Sequence, residues 1–111
     1  MLYDFDGIEE VRMDNFKGGE KCIFFKTACD DGMIKIAQTR VIPGASIGMH
    51  SHDTNCEIIR VISGGGKSIL DGVEERMKPG DVQYCAKGHT HSIINDTDED
   101  LILYAIIPAK A

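Results

Sequence analysis

The chain has 111 residues, of which 42% are hydrophobic and 27% are charged, and its formal net charge is −6. Such a composition is typical of a folded soluble domain, and the length is too short for two independent cores, so we expect one domain over residues 1–111. The acidic balance, with a pI near 5.1, argues against a nucleic-acid partner, because binding a phosphate backbone requires a basic face.

The sequence shows no pattern for export or membrane insertion. Its N-terminus, Met1-Leu2-Tyr3-Asp4-Phe5-Asp6, is acidic and is not followed by an apolar region. The longest apolar run, residues 101–108, is far shorter than the ~20 residues of a membrane helix. We therefore expect a cytoplasmic protein with no membrane partner. Four scattered cysteines form no Cys-x-x-Cys pair, and we interpret them as free thiols packed mostly in the barrel wall: Cys22, Cys29, Cys56 and Cys85.

The first half of the chain predicts short strands. Residues 1–16 mix acidic and apolar side chains without a regular period, and residues 17–20 indicate a turn. Residues 22–28 are rich in β-favouring side chains, Asp30-Asp31-Gly32 indicates a hairpin, and residues 33–42 are expected to form the return strand.

The stretch from Gly44 to Gly64 carries the first candidate site residues. His50 and His52 are two residues apart, so in an extended segment they project from the same side and can bind one metal ion. Glu57 follows a polar turn at residues 53–56 and opens the apolar run 58–62. Its carboxylate therefore lies at the start of the next strand, from which it can face the two histidines.

The second half predicts further strands separated by turns. Gly64-Gly65-Gly66 breaks one strand, Asp71-Gly72 indicates a hairpin, and residues 78–81 indicate another turn. His91 then follows on a neighbouring strand, and residues 101–107 form the closing strand. About nine or ten short strands at this spacing are typical of an all-β sandwich or barrel.

Both histidine-containing segments resemble the two signature motifs of the cupin superfamily. Gly44, His50, His52, Glu57 and Gly64 match every term of the first motif. The second motif is matched by glycines 80 and 88, histidine 91 and asparagine 95, whereas alanine 86 stands where the family usually has proline. Proline there would only fix a backbone turn, so the difference affects the rigidity of the loop and not the ligand set.

The resemblance implies a small single-domain cupin of the conserved-barrel, cupin 2 type. The expected fold is a double-stranded β-helix, or jelly-roll barrel, with both motifs inside residues 36–107. The expected ligands of one divalent metal are His50, His52, Glu57 and His91. The N-terminal segment, residues 1–20, is expected to pack on a partner subunit, which predicts a homodimer because pairing protects the exposed edge strands of a small barrel.

Several nearby residues have an alternative interpretation. His89 lies two residues from His91 and could share its face, but the motif spacing selects His91 and the surroundings of His89 indicate a loop. Cys56 and Cys85 are adjacent to the site in sequence, and we interpret both as structural thiols rather than nucleophiles. The side chains of Tyr84 and Tyr104 lie in apolar strands and are expected in the core.

Four ligands leave two positions of a six-coordinate ion open for water, oxygen or a substrate. Mixed nitrogen and oxygen ligation accepts iron, manganese, nickel, copper or zinc. The first hypothesis is a metal-dependent enzyme acting on a small organic acid, keto or phenolic compound, with dioxygenase, isomerase or decarboxylase/lyase chemistry. The alternative is a non-catalytic sensor or carrier of a small ligand, because the sequence identifies no catalytic residue beyond the four ligands and no other cofactor.

Overall fold

A computed structural model describes residues 1–108, whose regular secondary structure consists almost entirely of antiparallel strands. The all-β prediction is confirmed. Two short 3₁₀ turns, Phe5–Gly7 and Phe16–Gly18, are the helical elements within the described range, where no helix is long and apolar enough to cross a membrane. The strands are β1 Val11–Asp14, β2 Cys22–Asp30, β3 Ile34–Val41, β4 Ser46–Ser51, β5 Glu57–Ser63, β6 Gly66–Leu70, β7 Val73–Met77, β8 Val82–Cys85, β9 Thr90–Ile94 and β10 Leu101–Pro108.

The strands form two sheets that enclose one core. One sheet has six strands in the order β1-β2-β3-β10-β5-β8, and the other has four in the order β4-β9-β6-β7. Strands distant in sequence are neighbours in both sheets, which is the double-stranded β-helix arrangement. The side chains packed between the sheets are mostly aliphatic: Ile23, Val41, Ala45, Ile47, Ile59, Val61, Met77, Ile93, Leu101, Leu103 and Ala105.

Strand β10 shows how the sequence selects its inner face. Leu101, Leu103 and Ala105 are buried, whereas the residues between them are only partly buried. This alternation follows from the period of two residues in an extended chain. It also fixes the register with β3, where Ala37 pairs with Ala105.

Strand β4 contains a β-bulge, and because of it the side chains of both Ile47 and His50 face the interior. Ile47 pairs with Ile93 and His50 pairs with His91, so β4 uses three steps where β9 uses two. The extra residue reverses the alternation of side chains. Ile47 therefore faces the core, and His50 faces the same interior space.

Position 48 in this bulge requires glycine, because the backbone of Lys17 passes very close to it. A Cβ atom on Gly48 would lie 2.0 Å from the carbonyl oxygen of Lys17. The turn Phe16–Gly18 therefore packs directly on β4, with Phe16 and Lys17 beside the interior space.

The N-terminal segment lies on its own chain at the edge of the larger sheet. The Phe5 ring packs edge-on against Tyr104, with 5.6 Å between centroids, and β1 pairs with β2. Val11 and Met13 in β1 remain exposed by 58% and 37%. Strand β1 is the terminal strand of the six-stranded order, so among residues 1–108 no strand covers its outer edge.

The asparagine of the second motif closes the barrel and takes no part in the histidine cluster. The buried Asn95 side chain donates to the carbonyl oxygens of Val41 and Glu99 at 2.8 and 2.7 Å. Its own oxygen accepts from the backbone and hydroxyl of Thr97 at 3.0 and 2.8 Å. Asn95 thus fixes the turn that leads into β10.

Candidate metal centre

The four side chains singled out by the two motifs meet at one place in the interior. His50 lies in β4 and His52 directly follows that strand, while Glu57 begins β5 and His91 lies in β9. One donor atom from each residue lies within 4.8 Å of every other. The group comes from both sheets, so it forms only when the barrel closes.

The donor atoms of this group lie close enough together to contact one metal ion. His91 Nε2 lies 3.1 Å from the Nε2 atoms of both other histidines and 3.0 Å from Glu57 Oε1. His52 Nε2 lies 3.1 Å from the same carboxylate oxygen. Adjacent ligands with bonds of about 2.1 Å are about 3.0 Å apart around an octahedral ion and about 3.4 Å apart around a tetrahedral one. The group could therefore hold a metal ion.

Each histidine is oriented by an oxygen atom that contacts its other ring nitrogen. When Nδ1 donates its proton to an oxygen acceptor, the neutral ring presents the Nε2 lone pair to the centre. The three bonds run from His50 to the Gly48 carbonyl at 2.8 Å, from His52 to Asn55 Oδ1 at 2.7 Å, and from His91 to Gln83 Oε1 at 3.0 Å. Gln83 is held in turn by donating to Ser68 Oγ at 2.8 Å.

None of these three orienting residues was predicted from the sequence. Asn55 lies in the predicted turn, and a signal for it existed, because an amide three residues after a candidate ligand can contact that ligand. Gln83 and the Gly48 carbonyl gave no such signal. Their positions depend on the pairing of β8 with β5 and on the bulge in β4.

The electrostatics of the group favour an ionised carboxylate. Burial alone would raise the pKa of Glu57, but hydrogen bonds with His52 and His91 outweigh it and lower the pKa to about 2. The hydrogen bond with Glu57 raises the pKa of His52, and burial lowers the pKa of His50. A metal ion would therefore compete with a proton more strongly at His52 than at His50.

His89 lies outside the group, which answers the question left by its spacing from His91. Its exposed ring pairs with Asp71. Its backbone, however, supports the site, because the His89 carbonyl accepts from the His52 amide at 3.2 Å and the Gly88 amide donates to the His52 carbonyl at 2.7 Å. The turn at Ala86 forms without proline, since the His89 amide donates to the Ala86 carbonyl at 3.1 Å.

Cys85, which pairs with Glu57 across β8 and β5, is not an activated nucleophile. All four cysteines are free thiols, with Cys22 and Cys85 buried and Cys29 and Cys56 partly buried. Burial raises the pKa of Cys85 to about 11, and the nearby Glu57 charge acts in the same direction. The Cys85 thiol is consequently neutral at physiological pH.

The expectation that both strand tyrosines lie in the core is wrong for Tyr84, which is 60% exposed. Along β8, Cys85 is buried and Gln83 is partly buried, whereas Val82 and Tyr84 lie on the opposite side of the strand, which faces solvent. Tyr104 is partly buried and packs against Phe5.

The four side chains line part of a cavity of about 560 Å³ that opens to solvent beside Ser51 and Asp53. The rest of its wall is mainly apolar and includes Ala37, Ile59, Ile93, Leu103 and Ala105. This volume lies within the range of roughly 300–1,000 Å³ that is usual for small-molecule sites.

A double-stranded β-helix with three histidines and one carboxylate converging inside it defines a small barrel with a potential metal centre. Comparison with protein families identifies that class, because the Cupin domain model matches residues 37–107. The chain therefore belongs to the cupin family.

One relative found by sequence and two solved structures are similar to this chain. The oxalate-binding protein of Thermotoga maritima is 31% identical over 105 residues, covering 90% of this chain and 87% of the relative. A crystal structure described as a predicted oxalate decarboxylase of the same organism has a TM-score of 0.94 at 27% identity, covering 98% of this chain and 99% of that one. A cupin 2 conserved barrel domain protein of Salinispora arenicola has a TM-score of 0.76 at 23% identity, with coverages of 96% and 87%.

Proposed function

We propose that His50, His52, Glu57 and His91 bind one divalent transition metal, and that the protein is a metal-dependent enzyme acting on a small organic acid, keto or phenolic compound. The observation that carries the proposal is the convergence of three Nε2 atoms and one ionised carboxylate at the end of an apolar cavity. Similarity to proteins named for oxalate supports a small acid as the ligand.

A bound ion would polarise a carbonyl or carboxylate oxygen of the ligand on its open positions, or bind dioxygen if it is a redox metal. The chain contributes the rest of the chemistry. Gly48, Asn55 and Gln83 hold the imidazole rings in place, and the negative charge of Glu57 offsets part of the metal charge. The apolar wall limits water around a bound acid.

The experiment starts with elemental analysis of protein purified without chelator or nickel affinity resin. The metals to distinguish are iron, manganese, nickel, copper and zinc. Metal-loaded protein is then tested with a panel of organic acids, keto acids and phenols, measuring oxygen uptake, carbon dioxide release and isomer formation. Turnover that depends on stoichiometric metal supports an enzyme, and the product separates dioxygenase, decarboxylase and isomerase activity. If no substrate in the panel is converted with any of these metals, the proposal that the protein is an enzyme is contradicted.

A second candidate function is a non-catalytic carrier or sensor. Within residues 1–108, the acidic residues that line the cavity besides Glu57 are Asp30 and Asp53, and both are exposed. In that range the wall therefore supplies no buried carboxylate apart from Glu57, and its two lysines, Lys17 and Lys35, are exposed and partly buried, respectively. Tight binding of an acid by metal-loaded protein that never converts it would favour this function.

We also propose a homodimer formed through the N-terminal segment. The exposed apolar side chains of β1 border a free sheet edge, and such an edge is stabilised by pairing with a second copy. Light scattering is expected to give twice the chain mass of 12.2 kDa.

The double variant Val11→Lys/Met13→Lys should shift the protein towards the monomer, because it places charges on that edge. Val73→Lys is the matched control, since Val73 is exposed by 60% on β7 in the other sheet. A monomeric unsubstituted protein would contradict the dimer.

A further inference from the structure

Two alanines create the space beyond the candidate metal centre. Ala37 and Ala105 pair directly across β3 and β10, and both face the interior with exposures of 3% and 7%. Larger side chains flank the pair on the same faces, namely Thr39 and Leu103. Protein interiors are normally packed with few voids, so two adjacent methyl side chains at inward positions leave a defined hollow.

This hollow is continuous with the metal-binding end of the cavity. Glu57 and Ile59 are two residues apart on β5 and face the same side, and Ile59 pairs with Ala105. Neighbouring strands are about 4.8 Å apart, so the wall extends about 10 Å from β5 across β10 to β3. A two-carbon diacid held at the four ligands would leave most of this length empty.

We infer that the ligand is a carboxylic or 2-oxo acid with an apolar body of about six or more carbon atoms. Its carboxylate lies at the His50, His52, Glu57 and His91 group, and its body lies over Ala37 and Ala105. This inference rests on the proposed function and narrows the substrate class. It distinguishes this chain from its oxalate-named relatives by the size and polarity of the ligand.

The far end of the cavity limits how long the apolar body can be. Lys35 lies two residues before Ala37, on the same face of β3, and its ammonium nitrogen is 5.5 Å from the centroid of the Phe25 ring. The cavity therefore changes from an apolar wall to a charged group at this position. Acids that extend past the two alanines meet the Lys35 ammonium.

The first test is calorimetry with metal-loaded protein and a series of acids: oxalate, pyruvate, 2-oxobutanoate, 2-oxohexanoate and 2-oxooctanoate. Burying one methylene is worth about 0.8 kcal/mol, so affinity should rise about fourfold for each methylene added. Oxalate should bind more weakly than 2-oxooctanoate. Equal or tighter binding of oxalate would overturn the inference while leaving the proposed function intact.

Substitution of the hollow tests its position. Ala105→Leu should reduce affinity for 2-oxooctanoate by at least about 50-fold, because the new side chain occupies the space of several methylenes. Affinity for pyruvate, which has only one methyl group beyond its carbonyl, should fall far less than affinity for 2-oxooctanoate. Ala28→Leu in β2 is the matched control, because Ala28 does not line the cavity.

If the Ala105→Leu variant does not fold, Ala37→Leu takes its place. The binding measurements with the acid series use the unsubstituted protein and do not depend on either variant. Unchanged affinity for 2-oxooctanoate in a folded leucine variant would overturn the inference. Failure of every acid, oxalate included, to bind the metal-loaded protein would overturn the inference together with the acid and keto substrates of the proposed function, and would leave only its phenolic substrates.

Discussion

We expect the His91→Ala variant to lose its bound metal. His91 is fully buried, and its Nε2 atom lies within 3.1 Å of a donor atom from each of the other three residues. Changing a residue that only orients a metal ligand typically costs 10–100-fold in metal affinity, so removing a ligand itself should cost at least about 100-fold. Elemental analysis after dialysis should show near-stoichiometric metal in the unsubstituted protein and little in the variant.

His89→Ala is the matched control for this experiment. His89 lies two residues away on the same segment, but its exposed ring pairs with Asp71 and points away from the group. The His89→Ala variant should retain its metal, because the hydrogen bond between the backbones of residue 89 and His52 does not require the His89 imidazole. Full metal content in a folded His91→Ala protein, or loss of metal in His89→Ala, would contradict the proposed ligand set.

Much of the candidate site was predictable because local geometry determines it. Two histidines separated by one residue share a face in an extended chain, and the polar turn after them returns the chain to Glu57. The structure brings these side chains together with His91 as the motif spacing indicated. Turn signals such as Asp71-Gly72 also placed strand boundaries correctly, because Asp71 and Gly72 both have positive φ in the hairpin between β6 and β7.

Features that depend on pairing between distant strands were not predictable. The bulge in β4 exists because Ile47 and His50 take their register from β9, more than forty residues away in sequence. The exposure of Tyr84 follows from its position on the outward face of β8, which the apolar composition of the strand does not reveal. The cavity was not predictable for the same reason, because Ala37 and Ala105 become neighbours only through the register of β3 with β10.

The Asn95→Ala variant should lower the free energy of unfolding without removing the metal. The Asn95 amide supplies hydrogen bonds to two carbonyl oxygens and accepts two from Thr97, in a position with no solvent exposure. Leaving buried polar groups without partners costs about 1–3 kcal/mol each, so we expect a loss of about 2–4 kcal/mol in chemical denaturation.

The control for this prediction is Asp98→Ala, which changes an exposed residue of the same turn and should leave the unfolding midpoint nearly unchanged. Asn95 and His91 both belong to the second motif and both lie in the buried interior, yet the Asn95 side chain bonds to the end of β3 and to the turn that leads into β10, and to none of the four candidate ligands. Metal content should therefore separate the two residues: His91→Ala loses the ion, whereas Asn95→Ala keeps it at temperatures where the protein is folded. Loss of the ion from folded Asn95→Ala protein would show that the turn before β10 controls the ligand geometry.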